Sequence, residues 1–128
     1  MNENEIGTGV VESAIALHRE LGPGLLESVY EVVLARILTD RGLQIERQVP
    51  VAVHCFGLTF NQGFRVDLLI EGKVVIELKA VEAVQPVHLK QLQTYLRLSD
   101  CRLGYLLNFN EALMRNGITR TVNRLEEN

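Results

Sequence analysis

Along residues 10–21 the apolar positions Val11, Ala14, Ile15, Leu17 and Leu21 recur at helical spacing, and Gly22-Pro23-Gly24 ends the run. A second helical run starts near Leu25. Its apolar positions Leu26, Val29, Tyr30, Val33, Leu34, Ile37 and Leu38 make a wide stripe, and Gly42 supplies a C-terminal stop, so the two predicted helices form an antiparallel or angled pair. The period then changes to two. Residues 44–56 alternate around Val49, Val51 and Val53, with Pro50 pointing to a sheet edge or an irregular start, and residues 60–70 and 74–80 give the next two strands. Pro86 opens a third helix over 87–98 with Leu89, Leu92 and Leu96 as its core face, and Ser99-Asp100 closes it. A strand at 102–109, an Asn-containing bend and a weaker strand at 118–122 complete the order α-α-β-β-β-α-β-(β). The pattern predicts an α/β fold with a single sheet and helices packed on it.

Size and composition make that one unit. At 128 residues, with 47% apolar and 23% charged residues, the chain is expected to fold as a single domain, 1–128, burying about two-thirds of its unfolded surface. Cys55 and Cys101 are too few and too far apart for a disulfide framework and form no Cys/His cluster suited to zinc, so both are read as reduced thiols. No leader pattern precedes the first helix and no apolar stretch is long enough to span a bilayer; a soluble cytoplasmic protein without a membrane partner is the expectation. The net charge of −3 hides an asymmetry. Residues 1–31 carry six acids against one base, whereas residues 86–124 carry six bases against two acids. This suggests two different surfaces or simply two solvated faces.

One stretch breaks the hydrophobic pattern. VDLLIEGKVVIELKA, residues 66–80, reads as two apolar strands, yet it holds Asp67, Glu77 and Lys79 inside them. Buried charge is costly unless it is paired or metal-bound. Glu77 and Lys79, two residues apart, share one strand face while Val74, Ile76 and Leu78 take the other. Asp67 lies on the partner strand. Two carboxylates from adjacent strands with a lysine beside them form a hard-oxygen site suited to Mg²⁺ or Mn²⁺. A plain salt bridge of Lys79 with either acid is the alternative, and it leaves one acid over. A shared site also constrains the turn. A two-residue connection at Glu71-Gly72 would pair Asp67 with Ile76 and send the acids to opposite faces, so three residues, 71–73, or a bulge are required.

These residues carry a family resemblance. Asp67 followed by Glu77-Leu78-Lys79 resembles the (P)D…(D/E)xK motif of the PD-(D/E)XK nuclease superfamily, with Val66 in place of the proline, and Gly24-Leu25-Leu26-Glu27-Ser28-Val29-Tyr30 resembles the signature of its GxxExxY family. LGPGLLESVYE, RVDLLIEGKVVIELKAVE, QLQTYL and GYLLNF all follow that family's order. The resemblance implies a restriction-endonuclease-like core, a mixed sheet flanked by helices, and divalent-metal nuclease chemistry on nucleic acid, DNA ahead of RNA. It implies Asp67, Glu77, the Leu78 carbonyl and the helical acid Glu27 as metal ligands, Lys79 at the attacking water, and Gln91 and Tyr95 in support on one helix face. Each supporting residue has a plainer reading. Glu27 suits a first-turn acid facing the helix dipole, Tyr95 a core residue and Gln91 an exposed one. Of His18, His54 and His88, only His88 lies near enough to the proposed site for a phosphate contact, and a plain surface role suits it better. Cys55 and Phe56 stand where an aromatic and then a basic residue are expected before Gly57, which removes the expected substrate contact from that strand. The alternatives to a nuclease are a non-catalytic nucleic-acid or protein interaction module on the same fold, and an enzyme for another phosphoester. So small a nuclease is also expected to gain substrate surface by forming a homodimer.

Overall fold

The computed structural model describes residues 1–126. Helix α1 (Glu3–Leu21) begins earlier than residue 10, because Asn2 and Glu5 form a reciprocal capping box that satisfies its first amides. Ile6 and Val10, both fully buried, carry the same apolar face as Ala14 and Leu17 back into these first turns. Gly22, at φ 70°, ends the helix. Helix α2 (Glu27–Asp40) follows a turn that Tyr30 locks: its hydroxyl donates to the Gly22 carbonyl at 2.6 Å and accepts from the Leu25 amide at 3.1 Å. The same ring stacks on Phe109 with centroids 4.6 Å apart. The tyrosine of the GxxExxY stretch is therefore part of the fold's frame.

Strands β1 (Ile45–Cys55), β2 (Leu58–Ile70), β3 (Val74–Lys79), β4 (Leu103–Asn108) and β5 (Ile118–Val122) form one five-stranded sheet in chain order. The β3–β4 pair is parallel and the other pairs are antiparallel, so the sheet is mixed, with β1 and its Pro50 at one edge. Helix α3 (Pro86–Ser99) makes the crossover that the parallel pair requires. A 3₁₀ turn (Met114–Gly117) occupies the bend before β5. Among the described residues no helix is long and apolar enough to cross a membrane.

Two apolar clusters sit on opposite faces of this sheet. The larger joins α1 and α2 to Leu68 and Ile70 of β2, Val74, Ile76 and Leu78 of β3, and Leu103, Tyr105 and Leu107 of β4. The smaller joins Leu92 and Leu96 of α3 to Val75 and Leu106. Gly104 allows the close approach of α3, because a Cβ there would stand 2.9 Å from Leu96 and 3.1 Å from Leu92.

The outer half of β1 and β2 breaks the parity. Val49, Val51, Phe64 and Val66 belong to the smaller cluster, although they alternate in phase with Ile45, Leu68 and Ile70 of the larger one. The switch falls at Gln48 and Asp67, the single opposing pair missing from the ladder that joins 45–51 to 64–70. Gln48 has φ 53°, a left-handed conformation that turns the strand over without shifting its register.

Asn108, fully buried, continues the parallel pairing past the end of β3. Its amide accepts from the Val81 amide at 3.1 Å and donates to the Val81 carbonyl at 3.0 Å, while the Phe109 amide donates to the Lys79 carbonyl at 2.9 Å. Asn108→Ala leaves both Val81 groups without these partners and is expected to lower the unfolding free energy by roughly 2–3 kcal/mol. Urea denaturation measures it, and a loss below about 0.5 kcal/mol would show that water replaces the amide.

Candidate active site

The connection between β2 and β3 is the three-residue one that a shared site requires. Glu71 (φ 54°) and Gly72 (φ 64°) are both left-handed, the Lys73 amide donates to the Ile70 carbonyl at 2.9 Å, and the ladder resumes with Ile70 opposite Val74. Leu68 opposite Ile76 is its last regular pair, which places Asp67 across from Glu77. There the carboxylates take over from backbone pairing. The Asp67 amide donates to Glu77 Oε1 at 3.2 Å, and the Leu78 amide donates to Asp67 Oδ2 at 2.9 Å. Each acid is thereby tied to the other's strand. Leu78 enters through its amide, with its side chain buried in the larger cluster.

Electrostatics mark Glu77 as the strained member of the pair. Burial, and after it the charge of Asp67, push its carboxyl up to about 8, against which Lys79 pulls more weakly. The sign of the resulting pH dependence follows from linkage. A raised carboxyl favours the folded state below its unfolded value, near 4.5, and that contribution is lost as pH rises through the folded value near 8. The metal-free protein is therefore expected to lose on the order of a few kcal/mol of stability between about pH 5 and pH 9. Glu77→Gln should flatten the loss. Thermal melts across that range test this, and parallel curves for the two proteins would assign the loss to other groups.

The remaining sequence-identified residues lie at graded distances. Glu27, in the first turn of α2, is exposed; its carboxyl is raised by partial burial and then by Asp67, and lowered by Lys79. It thus shares the field of the acid pair. Among the described residues, however, no three His, Cys, Asp or Glu side chains are grouped closely enough to hold a metal ion. Tyr95 lies on the face of α3 that meets β2, stacked on Phe64 with centroids 4.4 Å apart. Burial, and then Glu77 and Asp67, raise its hydroxyl pKa. Gln91, one turn earlier, is exposed. His88 is a capping residue, its Nδ1 taking the Gln85 amide at 3.0 Å. His18 bonds the Glu111 carbonyl and His54 the Thr59 hydroxyl.

Three residues here escape sequence reasoning. Glu31 is buried with its side chain only 6% exposed, and Arg47 grips its Oε2 through Nη2 at 2.9 Å and Nε at 3.2 Å. Gln48 Nε2 reaches Glu31 Oε1 at 2.6 Å and Asp67 Oδ1 at 3.4 Å. Glu31 had a signal, because it follows Glu27 by one helical turn and so shares its face. Arg47 and Gln48 had none beyond the irregular start that Pro50 indicates. Two of the six basic residues of 86–124 are engaged elsewhere. Arg120 bonds Asn4 at the start of α1, and Arg115 lines a cavity of about 450 Å³ with His18 and Arg19.

The donor set fits a hard divalent cation. Two backbone-anchored carboxylates oppose each other in partial burial, so a proton stays on one of them unless a cation replaces it. Mg²⁺ needs only one or two carboxylates, keeping water in the rest of its shell.

A mixed sheet covered by helices on both faces, with an aspartate on one central strand and Glu-x-Lys on the next, defines a nuclease-like α/β protein. Residues 4–121 match the PD-(D/E)XK nuclease superfamily, and the chain belongs to it. No curated protein matches the chain. Among solved structures, the crystal structure of SSO0001 is similar, with 20% identity over 94% of this chain and 67% of that one, at a TM-score of 0.42.

Proposed function

We propose that the protein is a Mg²⁺- or Mn²⁺-dependent nuclease of the GxxExxY family that hydrolyses phosphodiester bonds of nucleic acid, DNA before RNA, in the cytoplasm. The observation that carries this reading is the reciprocal anchoring of Asp67 and Glu77, a carboxylate pair that is costly to maintain without a cation. Asp67, Glu77 and the Leu78 carbonyl would hold the ion, with Glu27 completing the shell from α2. Bound there, it would polarise a phosphoryl oxygen and lower the pKa of a water molecule.

The chain's own groups do the rest. Lys79, on the face of β3 that carries Glu77, orients the attacking water through its ammonium and takes part in moving its proton. Tyr95 keeps its hydroxyl proton at neutral pH and donates it in a hydrogen bond to a phosphate oxygen, with Gln91 as a second donor nearer the solvent. The exposed apolar residues Leu26, Val29 and Val32 on α2 suit the expected homodimer, which sedimentation would reveal.

The direct test incubates purified protein with labelled single- and double-stranded DNA and RNA in Mg²⁺, Mn²⁺ or EDTA. Cleavage that EDTA abolishes supports the reading. A second reading, a non-catalytic interaction module, draws on the absence of a group of three close acids among the described residues and on the acidic pI of about 5.6. It stands if no substrate is cut, no divalent ion binds in calorimetry, and variants of Asp67, Glu77 and Lys79 keep any nucleic-acid binding that the protein shows.

A further inference from the structure

Gln48 occupies a conformation that glutamine adopts at a cost. Its φ of 53° is the left-handed region, disfavoured for a residue with a Cβ, and it lies within a strand. The distortion puts its side chain between two carboxylates on different elements. Nε2 lies 2.6 Å from Glu31 Oε1 on α2 and 3.4 Å from Asp67 Oδ1 on β2.

Glu31 decides which end of the amide faces the acids. Its carboxylate is buried and ion-paired with Arg47 through the other oxygen, and a carboxylate oxygen only accepts hydrogen bonds. The short contact must then come from the amide nitrogen. A primary amide nitrogen carries two protons. With one given to Glu31, the second is directed toward Asp67 Oδ1. Asp67 Oδ2 is already fixed by the Leu78 amide, so its carboxylate is restrained at both oxygens, loosely at Oδ1 and tightly at Oδ2.

We propose that Gln48 is a positioning residue that holds the Asp67 carboxylate in its ion-binding orientation, with Glu31 and Arg47 fixing the sense of its amide. The positioning role rests on the metal-dependent reading above; the hydrogen-bonded bridge itself does not. The long contact to Oδ1 leaves that oxygen free to turn toward a cation, and the firm anchor on Glu31 keeps the donor from following solvent. The weak arm of the bridge is the functional one. Glu31→Gln retains volume but allows the Gln48 amide to flip, which would turn its carbonyl oxygen against Asp67. Gln48→Gly removes the amide while accepting the left-handed backbone without strain.

Two measurements test this. In the metal-free protein, the side-chain amide protons of Gln48 should resonate away from free glutamine, one should move in Asp67→Ala, and both should move in Glu31→Gln. Free-glutamine values that ignore both substitutions would overturn the bridge, whatever happens with metal. In Mn²⁺ titrations, Gln48→Gly and Glu31→Gln should each raise the dissociation constant roughly 10-fold, the lower end of what loss of a ligand-orienting partner costs. Gln48→Gly also leaves Glu31 Oε1 without its 2.6 Å partner, so its metal-free melting temperature should fall, and the affinities are compared at a temperature where circular dichroism shows both variants folded. Equal Mn²⁺ affinity in wild type and both variants would overturn the positioning role while leaving the metal site standing. Failure of the wild type to bind Mn²⁺ would remove the metal reading and the positioning role together, and the metal-free spectra would still decide the bridge.

Discussion

Asp67→Asn and Glu77→Gln are each expected to abolish Mn²⁺ binding in calorimetry and to lower cleavage by roughly 10³-fold or more, because a lost ligand charge removes several kcal/mol of stabilisation of the reacting phosphate. The amides are the informative substitutions. An asparagine at 67 still offers an oxygen to the Leu78 amide, and a glutamine at 77 still offers one to the Asp67 amide, so the crossed anchors survive while the charge does not. The metal-free fold should be intact in both. Glu77→Gln should even be the more stable protein above about pH 8, where wild type carries the buried charge. Alanine at 67 is a poorer test, since it leaves the Leu78 amide without its acceptor, at a cost of roughly 1–3 kcal/mol. Activity within tenfold of wild type in either amide variant would exclude the pair as the metal site.

Lys79→Met should separate chemistry from metal binding. The methionine keeps an apolar stem along β3 and leaves Asp67 and Glu77 in place, so Mn²⁺ should still bind. Cleavage should fall by roughly 10²- to 10⁴-fold, the range for losing a positioned proton-transfer group. One complication has a definite sign. Lys79 lowers the carboxyls of both Glu77 and Glu27, so its removal raises both further and shifts the onset of Mn²⁺ binding to higher pH. Calorimetry should therefore be run as a pH series. Equal loss of binding and cleavage at every pH would make Lys79 a charge-balancing residue only.

Most of this architecture was legible because hydrophobic period and turn chemistry agree with burial. The order of elements follows from period and turn residues, whereas the three-residue β2–β3 connection and the facing of Asp67 and Glu77 followed only from requiring the two acids to share a site. The early start of α1 was missed because Ile6 stands isolated among the polar residues Glu3, Asn4, Glu5 and Thr8, although it and Val10 are fully buried on the face of Ala14 and Leu17. The switch of strand parity at Gln48 was hidden for another reason. A left-handed turn within a strand is usually announced by glycine, and here a glutamine takes that conformation. With it went the Glu31–Arg47–Gln48 contacts, since nothing in a linear pattern shows that a helix acid meets a strand amide. The fold also separates the roles of the GxxExxY stretch. Tyr30 braces a turn and Glu27 lies in the electrostatic field of Asp67, a division that spacing alone does not reveal.

The two apolar clusters divide labour in a way that bears on how such a protein can change over generations. The larger cluster lies where α1 and α2 cover β2, β3 and β4, whereas α3 and the outer half of the β1–β2 hairpin rest on the smaller cluster, on the face of β3 that Glu77 shares with Val75. Substitutions in α3 or in that hairpin can therefore reshape the surroundings of Glu77 while leaving the larger core untouched. Change beside the acids is thereby uncoupled from loss of folding, with the acid pair at the seam between the two clusters.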